Sequence, residues 1–101
     1  RIDGIAEKLA EKNRKMDCII TDHHLPVPGR IPEAYAVINP NLEKSRYPFK
    51  HLCGAGISFK IVQALCEKLN MGNKYFDYVD LAALGTVADI VSHTEENRII
   101  V

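Results

Sequence analysis

The sequence predicts an α/β fold: an open, mostly parallel sheet with helices on both faces. Three observations carry that reading. Cys18-Ile19-Ile20-Thr21 is a short apolar run bounded by polar residues, and it follows a charged amphipathic stretch. Tyr35-Ala36-Val37-Ile38 is a second such run, ended by Asn39-Pro40-Asn41. Further on, apolar residues recur at helical spacing from Ile57 to Leu69. Short branched runs suit buried parallel strands, and strands alternating with helices build a parallel sheet.

Taken in order, Gly4 to Lys15 reads as a surface helix with Ile5, Leu9 and Met16 on one face and Asp3 capping its start. The first strand candidate follows. Pro26, Pro28, Gly29 and Pro32 then mark an irregular loop before the second strand. Asn39 precedes a proline, which disfavours helix and starts a turn; orienting a nearby loop is the alternative role for that side chain. After a polar loop through Tyr47-Pro48-Phe49, the next helix places Ile57, Ile61, Leu65 and Leu69 four residues apart, with Val62 beside them. Gly54-Ala55-Gly56 opens it, and Asn70 and Gly72 close it. Tyr75 to Leu84 reads as another helix, with Phe76, Val79, Ala83 and Leu84 on its apolar side and Gly85 ending it. Thr86 to Val91 is then expected as a loop or extended piece, and a further helix starts at Glu95.

Composition bounds the function. With 13 basic and 13 acidic side chains the chain is formally neutral, which argues against a dedicated nucleic-acid-binding module. No apolar run approaches a bilayer span, and no signal-like segment opens the chain. The three cysteines, Cys18, Cys53 and Cys66, are widely spaced and match no zinc pattern, so free thiols in a reduced, cytoplasmic protein are expected. Both ends look cut: position 1 is Arg and the chain stops inside Ile99-Ile100-Val101, so a segment of a longer protein is expected.

The chemistry concentrates in Asp22-His23-His24, directly after the first strand. Ligands of open α/β sheets bind beyond the carboxyl ends of strands. Three adjacent groups able to hold a metal or donate to phosphate favour a site over an incidental turn. Asp89 is the second candidate, flanked by small and apolar residues in Leu84-Gly85-Thr86-Val87-Ala88-Asp89-Ile90-Val91. An ionised carboxylate there calls for a partner, and a helix cap or a salt bridge would serve as well as a cation.

Five ordered blocks now carry a resemblance. Ile19 to Pro26 is similar to the third motif of the DHH phosphoesterase superfamily, named for that triplet. Ala36 to Asn41, Gly54-Ala55-Gly56 running into Phe59-Lys60, Ala83 to Val91, and Glu96-Asn97-Arg98 follow in the order of its RecJ-like branch, the 5′→3′ exonucleases specific for single-stranded DNA. The resemblance implies an α/β DHH domain holding two divalent ions, manganese or magnesium. It implies that His23 binds metal, that Asp89 binds the same ion 66 positions later, and that His24 lies near the scissile phosphate. Asp22 would orient a ligand histidine through its other ring nitrogen. Two such ions can activate a shared water and clamp the leaving oxygen, without a covalent enzyme intermediate. Imidazole ligands tilt the site towards manganese.

Gly54 and Gly56 could present amides to a phosphate, although close packing at the helix start explains them at least as well. Arg98 and Lys60 could touch a nucleic-acid backbone or simply sit on a solvated face. His51 and His93 read as surface residues. The superfamily's first two motifs, with their aspartates, have no convincing match; Asp3-Gly4-Ile5 only faintly resembles the second. Residues 1–101 are therefore expected to be part of a DHH catalytic domain carrying motifs three and four, without motifs one and two or the carboxy-terminal substrate-binding domain. Such a fragment would be inactive alone. Other branches cleave oligoribonucleotides or cyclic dinucleotides, and a catalytically silent scaffold is the reading from a different class. Retention of His23, His24 and Asp89 together argues against that scaffold.

Overall fold

Two short strands set the frame of the molecule, which we describe from a computed structural model over residues 16–101. The helix read at Gly4 to Lys15, with its Asp3 cap, lies outside the described residues. Strand β1 is Ile19–Thr21 and β2 is Ala36–Ile38, paired in parallel with Ile19 opposite Ala36 and Thr21 opposite Ile38. The fold is α/β, as expected, with a small parallel sheet and helices beside it. The strands are less buried than their composition suggests: Ile19 is 58% and Ile38 39% exposed.

Helix α1 spans Gly54–Lys68, a 3₁₀ turn spans Lys74–Tyr78, α2 spans Val79–Ala88 and α3 spans Glu95–Ile100. Helix α1 packs on β1 and most extensively on α2. Its start is capped by Cys53, whose Sγ accepts the Gly56 N–H at 3.3 Å. Its end is closed by Asn70, with φ of 55°, as the N–H groups of Asn70 and Met71 reach back to Glu67 and Cys66. Those two bonds satisfy the last carbonyls, and asparagine tolerates the left-handed conformation they require.

The apolar row expected on α1 is only half used. Ile57 is buried and Ile61 partly so, but Leu65 and Leu69 are 50% and 63% exposed. Each four-residue step advances about 40° around an α-helix, so Leu69 sits about 120° from Ile57. Phe59 and Cys66, seven apart and nearly in line, are buried instead. Around Ile57 the core gathers Phe49 and Leu52, with Tyr47, Ile61 and Ile100 against them. Each fully buried side chain of this size contributes about 1.5–3 kcal/mol.

Helix α2 corrects the sequence reading at both ends. The segment from Lys74 to Tyr78 is 3₁₀, and Gly85 does not end the helix, which continues through Thr86 to Ala88. Its buried residues are Ala82 and Thr86, whereas Phe76 and Leu84 stay exposed. The reason is close approach. A methyl group on Gly85 would overlap the Ala55 Cβ, so α2 meets α1 through small side chains. Thr86 is wholly buried, donating to the Ala82 carbonyl at 2.7 Å, with the Cys53 thiol 3.6 Å from its hydroxyl.

Glu96-Asn97-Arg98 fastens α3 to the loop before α1. The Tyr47 hydroxyl donates to the Glu96 carboxylate at 2.8 Å, and Lys60 pairs with the same group at 3.1 Å. Burial, the Glu96 hydrogen bond and the Glu96 charge together push the Tyr47 phenol well above its ordinary value. Asn97, wholly buried, donates to the carbonyls of His51 and Ser92. All three cysteines are free, with Cys53 and Cys66 buried and Cys18 half-buried. Among the described residues no helix is long and apolar enough to cross a membrane.

Candidate metal centre

The site begins where the ladder stops. Asp22 N donates to Ile38 O at 3.0 Å, extending the pairing one residue beyond β1. The chain then turns over its own aspartate: Asp22 Oδ1 accepts the N–H groups of His23 and His24 at 2.7 and 3.1 Å. The same oxygen lies 2.7 Å from His24 Nδ1. Burial works against the ionised form of Asp22. The hydrogen bonds from the His24 ring and from the two amides, with the His24 charge, outweigh it and hold the carboxyl below its ordinary value. Asp22 therefore steadies the ring of His24, whereas the sequence reading assigned it to a ligand histidine.

His23 points the other way. Its ring is mostly covered, 22% exposed, with Nδ1 3.6 Å from Asp89 Oδ2. The Gly54 position lies against its edge, where an added Cβ would be 3.9 Å from His23 Cδ2. His23 and Asp89 share a shallow hollow of about 380 Å³ with Cys53, Gly54, Ala55, Gly85 and Ala88. Of the residues the sequence nominated, the structure brings His23, Asp89 and Gly54 together, with Asp22 and His24 adjoining. Gly56 is buried and its amide is bonded to Cys53 Sγ, and Arg98 is exposed and does not line the hollow. His51 and His93 are exposed, as read.

The donor set fits a divalent cation. Donor atoms of Asp22, His23 and His24 lie within 4.8 Å of one another, but Asp22 Oδ1 and His24 Nδ1 are engaged with each other, which leaves His23 with Asp89 across the hollow. Asp89 caps the carboxyl end of α2, where its N–H still bonds back to Gly85. A carboxylate at that end meets the negative pole of the helix, a cost of about 0.3–1 kcal/mol that a nearby cation reverses. Nδ1 to Oδ2 at 3.6 Å exceeds a hydrogen bond; adjacent ligands of an octahedral ion about 2.0–2.1 Å away lie about 3 Å apart, so the two side chains would draw together to share one. Among the described residues no lysine or arginine lines the hollow. A larger apolar groove of about 440 Å³, between Val37–Tyr47 and α1, is lined by no histidine or carboxylate among the described residues.

Asn41 and Gly85 are parts of this site that the sequence reading did not assign. Asn39 and Asn41 donate to the carbonyls of His24 and His23 at 2.8 and 2.7 Å. For Asn39 a turn and the orienting of a nearby loop were read as alternatives; its Oδ1 accepts the Asn41 N–H at 2.8 Å in the turn, and its Nδ2 also donates to the histidine loop. The Asn-Pro-Asn spelling was the available signal.

The sequence matches the family described as DHH family, N-terminal domain, over residues 2–86. The chain belongs to the DHH family. It is 40% identical to the single-stranded-DNA-specific exonuclease RecJ of Bacillus subtilis (strain 168), over 98% of this chain and 12% of that protein. With the RecJ of Haemophilus influenzae it shares 40% identity, over 97% of this chain and 18% of the relative. With that of Escherichia coli (strain K12) it shares 42%, over 81% and 16% respectively. The chain thus spans less than a fifth of the length of these relatives. No solved structure matches.

Proposed function

We propose that this DHH segment forms one wall of a two-metal phosphodiester-hydrolysing centre, working in a longer protein as a 5′→3′ exonuclease on single-stranded DNA. His23 and Asp89 are the metal-binding residues, with Mn²⁺ or Mg²⁺ as the ions. When bound, such ions activate water and stabilise the charge that develops on the phosphate and the leaving oxygen.

The chain's own residues do the rest. His23, mostly covered, is held beside Gly54 with one nitrogen towards Asp89. His24, 77% exposed on its side chain, presents its ring to solvent next to that hollow. Its Nδ1 donates to the Asp22 carboxylate, so Nε2 donates to a non-bridging phosphate oxygen when the ring carries both protons, as an imidazolium. Asp22 keeps that ring in one orientation. The observation that carries the reading is the facing of Asp89, at the negative end of α2, onto the His23 ring, with no lysine or arginine among the described residues lining the hollow.

The substrate assignment draws on the RecJ relatives, whose names specify single-stranded DNA. It is tested on the longer protein with manganese, comparing 5′-labelled single-stranded DNA with dinucleotides. Stepwise shortening of the DNA is expected. Activity confined to dinucleotides would replace the exonuclease reading with that of a small-nucleotide phosphodiesterase.

A further inference from the structure

The Asn39-Pro40-Asn41 turn leaves β2 beside the point where Asp22-His23-His24 leaves β1, because Thr21 pairs with Ile38. From there Asn39 Nδ2 donates to the His24 carbonyl and Asn41 Nδ2 to the His23 carbonyl. Asp22 Oδ1 takes both N–H groups of the same histidines. All four main-chain polar groups of the histidine pair are thus bonded to side chains, and none to a main-chain partner among the described residues. A loop without a ladder has its peptide planes set by whatever groups take its N–H and C=O. Here those groups are three side chains, at 22, 39 and 41.

We propose that Asn39 and Asn41 are positioning residues for the hydrolytic reaction. They fix the peptide planes of His23 and His24, and so the aim of His23 at Asp89 and of His24 outward. This rests on the function proposed above. The geometry separates the clamp from ordinary turn formation. The turn uses Asn39 Oδ1, which accepts the Asn41 N–H, whereas the clamp uses the two Nδ2 donors, which the turn does not need. The Asn39 side chain is also tied to the Asn41 main chain by that N–H bond, and it is 7% exposed, so it is not free to reorient. Sites pre-organised in this way lose affinity and turnover when the supporting hydrogen bonds go, while the ligands remain in place.

Aspartate is the discriminating substitution, because it retains the acceptor oxygen and turns the donor into a group that repels a carbonyl. The full-length protein carrying Asn39→Asp or Asn41→Asp is compared with the parent in three measurements. Amide exchange of residues 19–27 without metal is expected to quicken about tenfold. Mn²⁺ affinity is expected to weaken about 10–100-fold. On 5′-labelled single-stranded DNA, kcat is expected to fall with KM nearly unchanged. Asn41→Gln, which retains a donor, is expected to recover part of the Mn²⁺ affinity. Unchanged exchange and unchanged Mn²⁺ affinity in the folded aspartate variants would overturn the clamp. If Asn39→Asp does not fold, Asn41→Asp decides, since its side chain makes one bond at a half-buried position. His23→Ala separates the two ideas: normal Mn²⁺ binding by that variant refutes the metal reading, while metal-free exchange still judges the clamp.

Discussion

Gly85→Ala is the perturbation that best tests how the tertiary structure assembles the site. The added methyl would overlap the Ala55 Cβ. Restoring a carbon–carbon contact of about 3.5 Å requires α2 to retreat from α1 by about 1 Å. Asp89 rides on the end of α2, and His23 rests against the start of α1 at Gly54, so the retreat widens the 3.6 Å gap between them. Overpacking costs about 1–3 kcal/mol. Exchanging glycine for alanine inside a helix returns about 1 kcal/mol. Net destabilisation is therefore about 0–2 kcal/mol, small beside the expected loss of Mn²⁺ affinity of at least about tenfold. Urea unfolding and Mn²⁺ titration of the full-length protein measure the two quantities. The compensating double variant Gly85→Ala with Ala55→Gly moves the methyl to the other helix. Its nearest remaining neighbours would be Cys53 Sγ at 3.8 Å and the residue 55 Cα at 3.9 Å, ordinary contacts, so affinity is expected to recover. If Gly85→Ala alone gains about 1 kcal/mol and binds Mn²⁺ normally, as at an open helix position, the close approach does not set the site.

His23→Ala and Asp89→Ala are each expected to lower turnover of the full-length protein by more than about 100-fold, the scale seen when one pre-organised group at a developing charge is removed; near-normal rates refute the ligand assignment. Ile90 has φ of 54° and is 89% exposed, so Ile90→Gly relieves left-handed strain at little loss of burial. A stability gain of about 1 kcal/mol in urea unfolding is expected, and a loss would show that the side chain has a partner. The Asp22 carboxyl lies below its ordinary value when folded. The unfolded chain therefore takes up the proton first as pH falls. The stabilisation is fully present above the unfolded value of about 3.9 and disappears as pH drops through the folded one. Asp22→Asn should flatten that acid limb of the stability profile; an identical profile would mean that the His24 and amide bonds contribute nothing.

Much of the site was legible because its signals are local. Asp22-His23-His24 stands at a strand end, and strand ends of α/β sheets are where ligands go. The α1 boundaries followed from residues whose backbone needs are known, such as Asn70. Gly85 was misread for the same local reason: a glycine after an apolar run looks like a stop. Only the presence of Ala55 across the interface explains a glycine inside the helix. Asp22 was assigned to a ligand histidine without saying which, because the sequence does not show which ring turns back. The Asp22 oxygen already holds both amides, and the His24 ring is the one that reaches it.

By itself the sequence determined the α/β class, the two strands, the first long helix and the identity of the chemical groups, because periodicity, branching and capping act over a few residues. Tertiary structure decided which groups meet. It brought Asp89 to His23 across 66 positions, set the spacing of α1 and α2 through one missing methyl, and placed two asparagine amides on the histidine carbonyls. Those are relations between distant segments. Their free energies come from packing and desolvation at contacts that exist only once the chain has folded.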